Sequence, residues 1–296
     1  MAHDSPPEIK KEVQHSGARE SNRICERLEA GRIWYPHAVT RNPKGQGALR
    51  IASLAPSATS ILCAIGAKKC LMGVTKWCAD VAPVAGLPKL GDCWHLNSVD
   101  EILALKPSLI IGSVPYKQET LAKLLEHPIN FLAMNPRTLA DIENDIRLLG
   151  SIAGYMTEAN RLVRVMRAGF ANIEKRSKRA PQNPRVYCEA WPNPRISSPP
   201  WVAELVRIAG GEMVVPAGKQ VNDEQVACAM PDVIVLAWTA TAATADGQKA
   251  YEVDAWKNVP AIRDRRVYVV SDELLNTPGP PLVRGAMMLW KLLHSE

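Results

Sequence analysis

Short apolar runs and amphipathic stretches alternate along the chain from Arg50 onward. Arg50-Ile51-Ala52-Ser53-Leu54-Ala55-Pro56 predicts a short buried strand closed by proline, and residues 57–65 predict a helix opened by Ser57 and stopped at Gly66. Residues 71–74, 109–112 and 129–134 predict three further strands, with helices over 99–105 and 118–126 between them. From Thr138 to Lys178 there is no proline, and apolar residues recur at spacings of three and four, from Leu139, Ile142 and Ile146 to Met166 and Phe170. That period is amphipathic helix. The expectation is one linking helix over 138–179, about 60 Å long at 1.5 Å per residue. Gly150 and Gly154 weaken the pattern, so two helices broken near 154–157 are the alternative.

After 180–184 the pattern begins again. Arg185-Val186-Tyr187-Cys188-Glu189-Ala190-Trp191-Pro192 follows residues 50–56, and a helix over 201–209 stops at Gly210-Gly211 as the first stopped at Gly66. The clearest duplication sets Asp100 through Ile111 against Glu224 through Val235 at a constant offset of 124 residues (224 − 100 and 231 − 107). Each copy is a short helix, a proline and a buried strand. Repetition of this kind predicts two α/β lobes with mostly parallel sheets, over 50–137 and 180–296, joined by the long helix, with a ligand cleft between them. Residues 1–49 are a polar, Pro- and Gly-dotted extension, expected to be partly disordered, with a short helix over 21–30.

Composition narrows the function classes. The chain has 296 residues, 47% hydrophobic and 22% charged, which is globular composition. No apolar run nears the ~20 residues of a membrane-spanning helix. The net charge of +6 is too small to argue for nucleic acid without a basic face, and the run Lys175-Arg176-Ser177-Lys178-Arg179 is the cationic end expected of a long helix. Seven cysteines form no CxxC pair, and Cys63 and Cys228 lie in apolar runs, so they read as free core thiols. G-x-S-x-G, GxxxxGK[ST] and HExxH are all missing, which argues against an enzyme. Residues 1–47 hold no apolar secretory core, so the protein is cytoplasmic or its leader is missing or unusual.

Arg50-Ile51-Ala52-Ser53-Leu54-Ala55-Pro56-Ser57-Ala58-Thr59-Ser60-Ile61-Leu62, Gly73-Val74-Thr75, Leu87-Pro88-Lys89-Leu90-Gly91 and Asp100 through Ile111 follow one another in this order. Trp201-Val202-Ala203-Glu204-Leu205, Gly210-Gly211-Glu212 and Val267 through Asp272 continue the series. Over about 50–296 the chain resembles the helical-backbone (class III) substrate-binding proteins of ABC importers, which carry cobalamin, siderophores, haem and metal ions. Gly73 through Asp80, Gly91-Asp92-Cys93-Trp94 and the turn Glu189 through Pro194 make it most similar to the cobalamin-binding branch.

The resemblance implies a non-enzymatic binding protein that captures a corrinoid in the interlobe cleft, with no covalent cofactor. Ligands of parallel sheets sit at the C-terminal strand ends. Loops there carry Pro56, Ser57, Trp77, Trp94, Trp191 and Trp238, and four indoles suit a flat, mostly apolar corrin with polar edges. Each of those tryptophans also fits a core or rim position, and Ser57 a plain helix cap. Asp272 resembles a cleft acid of the family, or is a turn aspartate. Asp100 and Glu224, equivalent under the repeat, match family acids that pair with arginines of the importer's membrane subunits; helix-capping acids are the bland reading. His95 is the one histidine in a cleft loop, so no divalent-metal site is expected. Lys76 and Arg195 keep an anionic ferric siderophore or haem as an alternative ligand. A cytoplasmic carrier or sensor that retained the fold is a second alternative. The family implies a periplasmic protein, and a monomer is expected.

Overall fold

In the computed structural model, residues 49–96, 98–180, 182–239 and 246–294 are described. The first lobe runs β1 (Ile51–Ser53), α1 (Pro56–Ala64), β2 (Leu71–Thr75), α2 (Cys78–Val81), β3 (Lys89–Leu90), α3 (Val99–Ala104), β4 (Leu109–Ser113), α4 (Gln118–Leu125) and β5 (Phe131–Met134). Its sheet has the order β3-β2-β1-β4-β5 and is parallel throughout. Helices cover both faces, which is why these strands read as continuous apolar runs and not as alternating ones. Ile61 and Leu62 of α1 pack on one face, and Ile102 of α3 and Leu124 of α4 on the other.

The linking segment differs from the single helix expected. It consists of α5 (Leu139–Ala153) and α6 (Met156–Ser177). Gly154 ends α5 in the left-handed region, at φ 77°. The chain then reverses, so α5 lies antiparallel along α6. Glu143 receives a bond from Arg167 Nε at 2.7 Å, and a Cβ on Gly150 would come within 2.4 Å of the Ala159 Cβ. The two glycines that weaken the helical pattern thus have separate jobs: one makes the turn, the other lets the helices close together. The element that crosses between lobes is α6, about 33 Å long. It starts where Tyr155 meets Gly66 of the first lobe and ends where Ser177 Oγ donates to the Ile208 carbonyl of the second, at 2.9 Å.

The second lobe comprises β6 (Arg185–Pro192), β7 (Arg195–Ser197), α7 (Pro200–Ile208), β8 (Glu212–Met213), α8 (Asp223–Cys228), β9 (Val233–Leu236), α9 (Pro260–Arg263), β10 (Val267–Val269) and α10 (Leu282–His294). Its sheet has the order β10-β9-β6-β7, with β8 also paired to β6. All pairs are parallel except β6 with β7, a hairpin turned by Pro192, Asn193 and Pro194. The two-lobe α/β architecture is as expected from the sequence; the β7 hairpin was not among the predicted strands.

The 124-residue repeat is geometrically real. Ser98 caps α3 and Asn222 caps α8 at the same offset (222 − 98 = 124). Ile102 and Val226 are the fully buried anchors of the two helices. Each helix is followed by a residue forced left-handed before proline, Lys106 at φ 47° and Met230 at φ 44°. Arg50 then donates to the carbonyls of Leu105 and Lys106, and Arg185 to that of Ala229, so each arginine closes the C-terminus of its helix. Cys228 departs from the expected core thiol: it is exposed, because in so short a helix Val226 alone points inward. The other cysteines described, at 63, 70, 78, 93 and 188, are buried and free.

The lobes share one apolar core, from Ile51 through Met166 to Leu293. Two further contacts join the lobes. The Leu139 N–H donates to Glu204 at 3.0 Å, and a Cβ on Gly279 would lie 3.0 Å from Ser60 Oγ of α1.

Candidate functional site

The C-terminal ends of parallel strands carry loops whose backbone groups are free of the sheet, and this is where ligands bind in such folds. On the first lobe, Pro56 opens α1 directly after β1, in the first-turn position that its missing N–H suits. The N-cap is Ala55, with no side-chain cap bond, so the expected cap by Ser57 is not made. Ser57 is 2% exposed and its Oγ is without a hydrogen-bond partner among the described residues. The loop is instead braced by Thr59, which donates to Ser53 Oγ at 2.8 Å, and by Ser53, which donates to the Ala55 carbonyl at 3.0 Å.

Trp77, after β2, is half-buried, with Lys76 Nζ 4.4 Å from its ring centre. Trp94, after β3, is 48% exposed. Asp92 shapes its loop by accepting from the N–H groups of Trp94 and His95, at 2.9 and 2.7 Å. The neighbouring Cys93 thiol is pushed up to about 12 by burial and stays protonated. A cavity of about 310 Å³ opens beside Trp94, with His95, Lys117 and Lys123 on its walls.

On the second lobe, Trp191 at the end of β6 is 37% exposed and donates to the Asn193 carbonyl at 2.9 Å. Trp238, after β9, behaves differently from the other three. It is 5% exposed, and its indole N–H donates to Glu189 Oε1 at 2.7 Å. Glu189 is wholly buried and gathers three donors. Tyr187 donates to its Oε2 at 2.7 Å and Arg195 to the same oxygen at 2.9 Å. Burial and then the adjacent Glu189 charge raise the Tyr187 phenol far above its ordinary range. Arg195 also bonds Asp223 through Nε and lies over the Trp256 ring at 4.3 Å. Burial opposes its charge, but Glu189 and Asp223 together hold its pKa above the ordinary value.

The structure therefore divides the expected wall. Trp77 and Trp94 stand on the first lobe, Trp191 on the second, and Trp238 belongs to the second-lobe core. Arg195, considered for an anionic chelate, is engaged by two carboxylates inside its own lobe. Asp272 is half-buried at the start of a short turn after β10, where its carbonyl accepts from the Asn276 N–H at 2.7 Å. Asp100 and Glu224 are both exposed and occupy the same place, the second residue of α3 and of α8. Glu189 is not among the residues expected from the sequence; it supports Trp238 and Arg195 from inside the lobe and does not face a ligand. Its signal is present in the sequence: a lone carboxylate inside the apolar run of β6, with an arginine six residues on. Among the described residues no group of three side chains is arranged to hold a metal ion, and no helix is long and apolar enough to cross a membrane.

Residues 51–274 match the family model described as periplasmic binding protein. The chain is 26% identical over 273 residues to the uncharacterized ABC transporter substrate-binding lipoprotein YvrC of Bacillus subtilis, covering 87% of this chain and 82% of that one. It is 28% identical over 242 residues to the vitamin B12-binding protein of Vibrio parahaemolyticus, covering 78% and 84%. Two solved structures share the fold. The periplasmic heme-binding protein RhuT from Roseiflexus sp. RS-1 superposes with a TM-score of 0.72 at 23% identity, over 84% of this chain and 98% of that one. The periplasmic vitamin B12-binding protein BtuF of Vibrio cholerae does so with a TM-score of 0.65 at 24% identity, over 82% and 96%. With its repeated α/β lobes, their mostly parallel sheets and the greater part of its length under that family model, the chain belongs to the periplasmic binding protein family, as a substrate-binding protein for ABC transport and not an enzyme.

Proposed function

We propose that this protein captures a corrinoid between its lobes and delivers it to an ABC importer. The observation that carries the reading is the pair of exposed indoles Trp94 and Trp191, one at the strand ends of each lobe. Exposed tryptophan on two lobes at positions where parallel sheets bind ligands suits a wide, flat, largely apolar ligand with amide edges. Relatives named as vitamin B12-binding proteins support the same ligand class. In this reading Pro56, Ser57, Trp77 and Asp272 complete the lining, and Trp238 holds the second-lobe edge in shape from within. The protein works outside the cytoplasmic membrane as a single copy. Asp100 and Glu224 meet cationic side chains on the two membrane subunits of the importer.

One observation favours a second ligand class. Lys117, Lys123 and His95 around the cavity beside Trp94 suit acidic groups such as the propionates of haem or the carboxylates of a ferric siderophore. Titration of the purified protein with cyanocobalamin, dicyanocobinamide, haemin and a ferric siderophore, followed by tryptophan fluorescence, separates the two. Saturable 1:1 quenching by the corrinoids at micromolar concentration is expected. Haemin or siderophore binding without corrinoid binding would replace the first reading by the second.

A further inference from the structure

The helix α8 has only six residues, Asp223–Cys228. A helix that short has no stability or orientation of its own, so its direction is set by what its ends touch. Its inner end is held by Val226 in the second-lobe core. Its N-terminus is held by charge. Arg195 bonds the Asp223 carboxylate through Nε and, through its terminal nitrogen, the buried Glu189 at 2.9 Å. Trp256 donates to the Asp223 carbonyl at 3.0 Å, and the Arg195 guanidinium lies on the same indole. The Arg195 carbonyl accepts from the Val221 N–H at 3.0 Å, which ties down the chain just before the helix. Glu189 reaches the other way, to Trp238 at 2.7 Å.

A fully buried carboxylate with a part-buried guanidinium is costly to desolvate, and apolar side chains of similar volume generally stabilise a core as well. What an ionic pair provides that they do not is a fixed angle and distance, because the guanidinium fork donates to carboxylates in few geometries. At the equivalent helix α3 of the first lobe, no ion pair among the described residues involves Asp100 or Glu101.

We propose that Glu189 and Arg195 are positioning residues for the importer-facing edge of the second lobe: they lock α8, and with it Glu224, to the strand end that carries Trp191 and supports Trp238. The inference rests on the reading of Glu224 as a docking acid. Neither residue touches ligand or importer; both act through Asp223 and α8.

The test uses the full chain and the double substitution Glu189→Gln with Arg195→Met. Removing both charges avoids stranding one of them in the core, whereas Arg195→Met alone leaves a buried unpaired carboxylate and serves as the control for misfolding. In the double variant, backbone amides of 222–228 are expected to exchange with deuterium at least tenfold faster, with the rest of the second lobe unchanged. Affinity for cyanocobalamin is expected to stay within threefold, and affinity for the importer in nanodiscs to fall tenfold or more. Arg195→Lys, which can keep one carboxylate but not both in register, is expected to fall between. Unchanged exchange at 222–228 would overturn the positioning role by itself, without reference to any partner. Faster exchange with unchanged docking would overturn its importance for delivery. If Asp100→Lys with Glu224→Lys in the otherwise native chain leaves docking intact, the docking reading is what fails, and the exchange result still decides the part played by Glu189 and Arg195.

Discussion

At the scale of single residues, burial decides which polar groups keep their ordinary chemistry. Asp145 lies half-buried on α5, facing Asp141 along its own helix and Tyr116 across the lobe. Burial first, and then the Asp141 charge, push its carboxyl up to about 6 from an ordinary 3.8. The native state therefore holds this proton more tightly than the unfolded chain. Between about pH 4 and pH 6 unfolding releases it, and the contribution of Asp145 to stability falls as the pH rises through that window. Asp145→Asn removes the charge but keeps the shape. Urea unfolding is expected to find the variant more stable than the native protein at pH 8, with the difference shrinking toward pH 4.5. A difference independent of pH would mean that Asp145 titrates like an exposed carboxylate. The same scale governs Trp238: its indole is placed by Glu189, a residue whose importance shows in the sequence only as an acid where the strand period calls for an apolar side chain.

At the scale of elements, Gly154 makes the largest difference between expectation and structure. In the middle of a continuous helix, replacing glycine by alanine stabilises by about 1 kcal/mol. At a left-handed helix end the same change forces an L side chain into a conformation that costs roughly 1–2 kcal/mol. Gly154→Ala is therefore expected to lower stability by about that much in urea unfolding; a gain would mean that α5 and α6 are one helix after all. Most of the helices and buried strands were legible in the sequence, because period, proline and glycine punctuation and caps act over four or five residues. The break at Gly154 was only half legible. Two glycines in an otherwise strong pattern signal weakness, but whether the chain runs on or folds back depends on contacts such as Gly150 with Ala159 and Glu143 with Arg167. The β7 hairpin was missed for a similar reason: Pro192-Asn193-Pro194 marks a turn, and only pairing with β6 turns Arg195–Ser197 into a strand.

At the scale of the molecule, α6, the common core and the contacts at Glu204 and Gly279 bind the lobes together. Swinging them apart requires bending α6, which breaks backbone hydrogen bonds, and not merely rotating a flexible loop. Small-angle scattering with and without ligand is expected to give nearly the same radius of gyration. A clear compaction would mean that the segment between the lobes is a hinge. The matching of Asp100 and Glu224 under the repeat suits a partner with its own twofold symmetry. A single exposed ion pair contributes only ~0–1 kcal/mol, so single substitutions are expected to be quiet. Reversing both, Asp100→Lys with Glu224→Lys, sets like charges against the partner at a cost of several kcal/mol. Uptake by the cognate importer is expected to fail while ligand affinity is kept. Uptake at the native rate would leave these acids as helix caps only, and loss of ligand binding would move them into the cleft.

The α/β class, the two-lobe repeat with its offset of 124, the elements that carry the strand-end loops and the family are all legible in the chain. All of these rest on local period and on order along the chain, which survive without knowledge of distant contacts. Which of the loop residues face solvent depends on packing between distant segments. Trp94 and Trp191 remain exposed while Trp238, at another strand end, is buried and donates its N–H to Glu189, 49 residues away along the chain but on the adjacent strand β6. Packing likewise assigned Arg195 to Glu189 and Asp223 and withdrew it from the set of free cations. Residues 189, 195, 223 and 238 are separated along the chain and brought together by the pairing of β6 with β7 and β9. Which charges find partners is a property of that pairing: the lone acid in β6 and the arginine six residues on mark one pair, but not Asp223 or Trp238.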